Sequence, residues 1–176
     1  MGEIHIVAVN NEVKEVLWII RNTNHAEPLI KTINLKDSGD EVFIFKRSDE
    51  NSIQSVLSIP LKYLYEPNAA ILKAGAFKAI GKQFHLKKLH EHTHLYTSHK
   101  KVNFPGRIFK ILSTHPYNKK SLAALQFEKA NITIRNFPVS VAEIRKKHKI
   151  KEGGNLYLFF ITDLNNKRQI LKCIKA

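Results

Sequence analysis

One cysteine, Cys173, is all the chain has. A lone thiol cannot pair within the chain, so no disulfide framework holds the fold, and a reducing, cytoplasmic setting is expected. No apolar run approaches the roughly 20 residues that span a bilayer. No basic, apolar and small-residue leader opens the sequence. Glycine-rich turns between a strand and a helix are missing as well. The one Gly pair, Gly153-Gly154, follows a helical pattern. No two carboxylates are spaced for acid–base work, since Glu152 and Asp163 read as linker and turn residues. Internal repeats are absent.

Acidic residues are also scarce, but only in one region. The 176 residues include 29 Lys/Arg and 15 Asp/Glu, a net charge of +14. Residues 1–50 carry six Lys/Arg against nine Asp/Glu. Residues 73–151 carry 18 against three, Glu91, Glu128 and Glu143. Solubility does not require so long a stretch to be nearly free of acid. Such a regional excess reads as a surface for a polyanion, nucleic acid before anionic lipid. Apolar residues at 43% and charged residues at 25% are the balance of an ordinary globular protein, with room for one domain or two small ones.

The chain is organised around Lys129–Lys151. A strand over Asn131–Asn136 leads through Phe137-Pro138 to a helix from Ser140 to about Lys149. Ser140 is an N-cap and Glu143, three residues on, completes a capping box. Val141, Ile144 and His148 share one face. Arg145, Lys146, Lys147 and Lys149 crowd the negative end of the helix dipole, and they are more cations than one helix end requires.

Upstream, Glu3–Val9 reads as a strand and Glu12–Arg21 as a helix capped by Asn10-Asn11, with Val13, Val16, Leu17 and Ile20 as its apolar stripe. Leu29–Leu35 and Glu41–Arg47 alternate as strands about an Asp37-Ser38-Gly39-Asp40 turn. This abrupt start at a strand is expected of a piece of a larger protein. Residues 48–58 read as a polar loop with a short helix. Glu66-Pro67-Asn68 opens a helix expected to run to about Phe84. Arg107–Leu112 is a strand, and Asn118 caps a helix to about Glu128 with Leu122, Leu125 and Gln126 facing in. Asn155–Thr162 and Gln169–Ile174 are strands about a turn at residues 163–167. From Arg107 the order is strand, helix, strand, helix, strand, strand. It predicts an α+β fold of the α/β sandwich type, with helices packed on a mixed sheet.

Four stretches resemble a known family: Tyr63-Leu64-Tyr65-Glu66-Pro67-Asn68-Ala69-Ala70-Ile71-Leu72-Lys73-Ala74-Gly75, His94-Leu95-Tyr96-Thr97-Ser98, Phe104-Pro105-Gly106-Arg107, and Ala130-Asn131-Ile132-Thr133-Ile134-Arg135-Asn136-Phe137-Pro138. They are similar to the class I S-adenosylmethionine-dependent methyltransferases of Bacteroidetes that end in a THUMP-like domain. The resemblance implies three parts. Residues 1–60 would be the closing strands of a methyltransferase domain, 61–104 a small ferredoxin-like module and 105–176 the THUMP-like domain. Methyltransferases of this class need a glycine-rich turn and an acidic ribose holder, by the logic of dinucleotide sites. This chain has neither, nor an Asp-Pro-Pro-Tyr-like tetrapeptide. No catalytic residue and no cofactor site are therefore expected in it, and S-adenosylmethionine would bind elsewhere in the parent protein.

THUMP domains bind RNA, tRNA especially, and present it to an attached modification domain. The resemblance so implies RNA and the methyltransferase domain as partners, with no membrane. Lys and Arg bind phosphates through counterion release. The candidates are Lys100, Lys101, Arg107, Lys110, Lys119, Lys120, Arg135, Arg145, Lys146, Lys147, Lys149 and Lys151. Arg135-Asn136-Phe137 adds a bidentate donor, an amide and an aromatic ring for edge reading and stacking of unpaired bases; core packing by Phe137 and a carbonyl clamp by Arg135 are the structural alternatives. His90, His92 and His94 would face one side of a strand. Without a Cys, an acidic cluster or the helical H-E-x-x-H spacing they read as surface histidines near phosphate, and no metal is expected. The alternative function is a non-RNA module that packs on the methyltransferase domain and shapes its pocket for a small-molecule or protein acceptor.

Overall fold

The computed structural model describes residues 2–20, 27–125 and 127–176. It divides into two compact units, each assembled from separate stretches of chain: residues 1–55, 66–86 and 102–107 in the first, and 56–65, 87–101 and 108–176 in the second. Helices are short and sheets are mixed, an α+β protein as the sequence predicts.

In the first unit four strands form a sheet: β1 (Glu3–Val9), β2 (Glu12–Ile19), β3 (Leu29–Leu35) and β4 (Glu41–Phe45), in the order β2-β1-β3-β4. β1 runs antiparallel to β2 and parallel to β3, and β3 and β4 form the expected hairpin. The expected helix over Glu12–Arg21 is in fact β2; its end at Arg21 lies outside the described residues. The reason is local. Asn10 and Asn11 both take left-handed φ values, 47° and 67°. Two such residues in a row make the tight turn whose twist suits a hairpin, and Asn tolerates them. Val13, Val16 and Trp18 then serve a strand as well as they would a helix stripe.

The long helix expected to open at Glu66-Pro67-Asn68 and run to Phe84 starts later and is broken: Glu66 and Pro67 end a strand instead of forming the first helical turn. Asn68 caps α2 (Ala69–Ala74), accepting from the Ile71 N–H at 3.1 Å, and Gly75 ends it at φ 72°. A second short helix, α3 (Ala79–Gln83), follows the turn. α1 (Arg47–Ser52) supplies what holds α3 in place. The buried Glu50 carboxylate accepts from the backbone N–H groups of Phe77, Lys78 and Ala79 at 2.7–3.0 Å. Glu50→Ala strands those donors. It is expected to cost about 3 kcal/mol in urea unfolding, because buried unsatisfied donors lose their full desolvation energy. Amide exchange at residues 77–79 would accelerate first.

Two of the family-like stretches meet in this unit. The Asn68 N–H donates to the Pro105 carbonyl at 3.2 Å, and the Arg107 Nε donates to the buried Glu66 carboxylate at 2.6 Å. Gly106 lies against the Glu66–Asn68 backbone at φ 150°.

The second unit is built on a sheet of β5 (Tyr63–Pro67, through Tyr65), β6 (Lys87–Lys88), β7 (Tyr96–Ser98), β8 (Gly106–Pro116, from Ile108), β9 (Asn131–Arg135), β10 (Leu156–Thr162) and β11 (Arg168–Lys175). Their order is β6-β7-β5-β8-β11-β10-β9. β10 explains the sheet. Its apolar run is buried on both faces, as central strands are. Phe159 and Ile161 join Leu64, Leu89, Leu95 and Phe109 on one face. Leu158 and Phe160 join Leu122 of α4 (Lys119–Ala124) and Ile144 of α5 (Val141–His148) on the other. β9 pairs with β10 in parallel, with α5 as the crossover. The β10–β11 hairpin turns about buried Asp163, whose Oδ1 accepts from the Asn165 and Lys167 N–H groups at 2.9 Å. α4 is capped by Asn118 as expected but stops short of Glu128; Gln126 lies outside the described residues.

Candidate nucleic-acid interface

α5 begins and ends as its sequence dictates. The Ser140 hydroxyl accepts from the Glu143 N–H at 3.2 Å, and the Glu143 carboxylate accepts from the Ser140 N–H at 2.9 Å. The Ser140 hydroxyl also donates to that carboxylate at 2.7 Å, and this bond first, with the backbone bond second, holds the Glu143 carboxyl below the usual carboxylate range. Ile144 anchors the buried face. At the far end Lys149 takes a left-handed conformation, φ 54°, where glycine is the usual residue. Arg145 is committed to this corner. Its guanidinium donates to the carbonyls of Ile150 and Ala130 at 3.2 and 3.3 Å and faces Glu152 at 3.7 Å.

α4 and the end of α5 enclose a cleft of 330 Å³. Its floor is apolar, from Leu122, Ala123, Phe127 and Ile150, and its rim holds Lys119, Lys149 and His148. An adjoining hollow of 370 Å³ shares Lys119 and His148 and adds Tyr117, Asn118 and Lys147. The Tyr117 ring meets Phe137, Phe160 and His148 edge-on, at 5.0, 5.8 and 6.1 Å between centroids. The Tyr117 hydroxyl and the His148 Nε2 are buried with no hydrogen-bond partner among the described residues. Burial first, and the Lys147 charge second, hold the His148 imidazole below its ordinary value, so the ring favours its neutral form. A lysine rim over an apolar floor can bind phosphate oxygens above and an unstacked base below.

The other predicted cations divide. Lys100, Lys101, Lys110, Lys120, Lys146 and Lys151 are exposed, and none forms an ion pair among the described residues. Arg107 is drawn to Glu66 in the first unit. Arg135 donates to the Ile134 carbonyl at 2.9 Å, the carbonyl clamp weighed from the sequence. Phe137 is half-buried: one side packs on Tyr117 and Phe160 at the edge of the core, and the residue also lines a surface hollow with Asn136, Pro138 and Arg168. Asn136 turns the chain at φ 50°, and its carbonyl accepts from the Thr162 hydroxyl. Sequence reasoning missed Tyr117, Phe127 and Ile150 as parts of the cleft. They are apolar or aromatic residues between elements, and only packing brings them beside the lysines.

The histidines do not share the face of a strand. Residues 90–93 form a turn, closed by the Thr93 N–H on the His90 carbonyl at 3.3 Å, and His94 just beyond it has φ 51°. His90 is a junction instead. Its Nδ1 accepts from the His92 N–H at 3.0 Å and faces the Asn136 amide nitrogen at 3.2 Å. The ring proton therefore sits on Nε2, toward the Asn166 amide oxygen at 3.2 Å. Among the described residues no three His, Cys, Asp or Glu are grouped to hold a metal. His94 is held down at about 4, by burial first and then by Lys88, His92 and Arg135. An unfolded chain takes up that proton near 6.5, so the folded state loses stability as pH falls from there toward 4. Thermal melts from pH 7 to 4.5 are expected to show the decline, and His94→Gln to flatten it.

Cys173 is buried, and burial pushes its thiol up, away from nucleophilic use. No described helix is long and apolar enough to cross a membrane.

The comparisons with known proteins follow this architecture. Residues 63–105 match a ferredoxin-like domain model, and residues 106–175 match a THUMP domain-like model. The chain thus carries, one directly after the other, a stretch that matches a ferredoxin-like domain and a stretch that matches a THUMP-like domain. More particularly, it is similar to a crystal structure from Porphyromonas gingivalis W83, described as a "putative methyltransferase", with a TM-score of 0.93 and 37% identity. That match covers 99% of this chain and 45% of the other, so the chain spans less than half the length of this relative. A comparison with curated protein sequences gives no match.

Proposed function

We propose that this chain is the RNA-binding accessory region of an S-adenosylmethionine-dependent RNA methyltransferase, and that it presents RNA, tRNA in particular, to a catalytic domain of the same protein. The observation that carries the reading is the α4–α5 cleft, where Lys119, Lys147 and Lys149 ring an apolar floor. The THUMP-like match covers this cleft, and the Porphyromonas relative supports the link to methyl transfer. In this reading the exposed lysines supply sequence-independent attraction to phosphates, and the cleft orients the strand. The methyl donor binds the catalytic domain. The test is a titration with total tRNA at low and physiological salt. Tight binding that collapses with salt supports the reading. Absence of binding at low salt would favour the alternative, a module that only packs on the catalytic domain.

A further inference from the structure

The outer face of the β2-β1-β3-β4 sheet is largely aliphatic, with Glu3, His5, Glu15 and Lys31 set among the aliphatic residues. α2 closes the inner face, which buries Ile6, Ala8, Ile30, Phe43 and Phe45. Side chains alternate along a strand, so the residues between these point the other way. Leu17, Val42 and Ile44 on that outer face are 44%, 47% and 47% exposed. Register makes them neighbours: Leu17 pairs with His5, His5 with Lys31 and Lys31 with Ile44, while Val7 pairs with Ile33 and Ile33 with Val42. Val7, Ile33 and Val42 thus form an unbroken aliphatic row across β1, β3 and β4, with Leu17 and Ile44 in the adjacent row, where His5 and Lys31 lie between them, and with Glu15 beside Val7 on β2. An antiparallel-type sheet with a free face normally carries polar residues there. A contiguous exposed apolar patch marks a docking surface.

Two observations select the occupant. Residues 1–50 carry a net acidic charge, so a polyanion does not suit this face. The match to the Porphyromonas relative spans 45% of that chain, which leaves more than half of it to be packed against something. We infer that this sheet face docks the catalytic domain of the longer protein through a mainly aliphatic surface of that domain, centred on the Val7-Ile33-Val42 row. The inference rests on the proposed function above, for it takes a catalytic domain in the same protein as given.

The test uses thiol accessibility. Cys173 is buried, so Ile44→Cys supplies the reactive thiol of this chain. The same substitution is made at the matching position of the full-length Porphyromonas relative, and labelling by a maleimide is read by peptide mass. The thiol is expected to react freely in the 176-residue chain and at least about tenfold more slowly in the full-length protein, as groups shielded by packing do. Leu17→Cys, on β2, repeats the measurement should the first variant misfold. Equal rates in both proteins would overturn the inference. So would protection that grows with concentration in the short chain, which would make a second copy the occupant, or protection of the short chain by added tRNA. RNA affinity is measured on the same variants. Equal labelling with RNA binding intact defeats the docking surface alone, whereas a protected thiol without RNA binding defeats the RNA reading alone.

Discussion

Changing Lys119, Lys147 and Lys149 together to Glu is expected to abolish tRNA binding at 200 mM salt and to leave only weak binding at 50 mM. These three lysines rim the cleft and its adjoining hollow, and all are exposed. Each phosphate contact contributes about 0.7 to the slope of log affinity against log salt for a single strand. The unaltered protein, with several such contacts, should lose roughly a hundredfold or more in affinity across that range. Removing three contacts should flatten the slope by about 2 and weaken binding at every salt concentration. Arg145 is left out of the variant on purpose. Its bonds to the Ile150 and Ala130 carbonyls hold the end of α5, so replacing it would confuse lost folding with lost binding. Lys110→Glu is the comparison, an exposed lysine outside the cleft lining, and its effect should be that of a single phosphate contact. Filter binding at two salt concentrations reads all of this. A triple variant that binds like the original would remove the cleft from the RNA path.

The largest stability effect is expected at Gly106. Its φ of 150° is one that L side chains rarely adopt. A Cβ there would run into the Glu66 carbonyl and stand 2.9 Å from the Asn68 nitrogen, backbone atoms that cannot swing aside. Strain and overpacking add, so Gly106→Ala is expected to cost about 4 kcal/mol. The damage should concentrate where Asn68 and Arg107 make their bonds to Pro105 and Glu66. Urea unfolding of the first unit measures it. Arg107→Lys is the milder companion. It keeps the charge beside Glu66 but loses the planar fork, and it should cost far less than the glycine change.

The comparison of these two sites shows which signals travel in a sequence. The caps at Asn118 and Ser140 were legible because a cap is satisfied within three residues of itself. The hairpins about Gly39 and Asp163 were legible for a similar reason, since turn residues meet their own backbone. β2 was not. Val13, Val16, Leu17 and Ile20 satisfy a helical spacing, and only pairing with β1, seeded by the two left-handed asparagines, decides for the strand. The break at Gly75 was missed because the small residues around it fit a continuous helix equally well.

The sequence by itself determined the regional charge, the α+β class and the helix that carries Lys146, Lys147 and Lys149 to one end. Charge and capping are properties of near neighbours, and no distant contact can cancel them. The tertiary structure decided which cations are open to a ligand. Arg107 and Arg145 are drawn to Glu66 and to backbone carbonyls, and Phe137 is half-buried against the core, while Lys119 is carried to within one cleft of Lys149. Residues thirty positions apart come together only because β9 and β10 pair in parallel and force α5 back across the sheet beside α4. That pairing is a long-range choice, and it is where the candidate site is made.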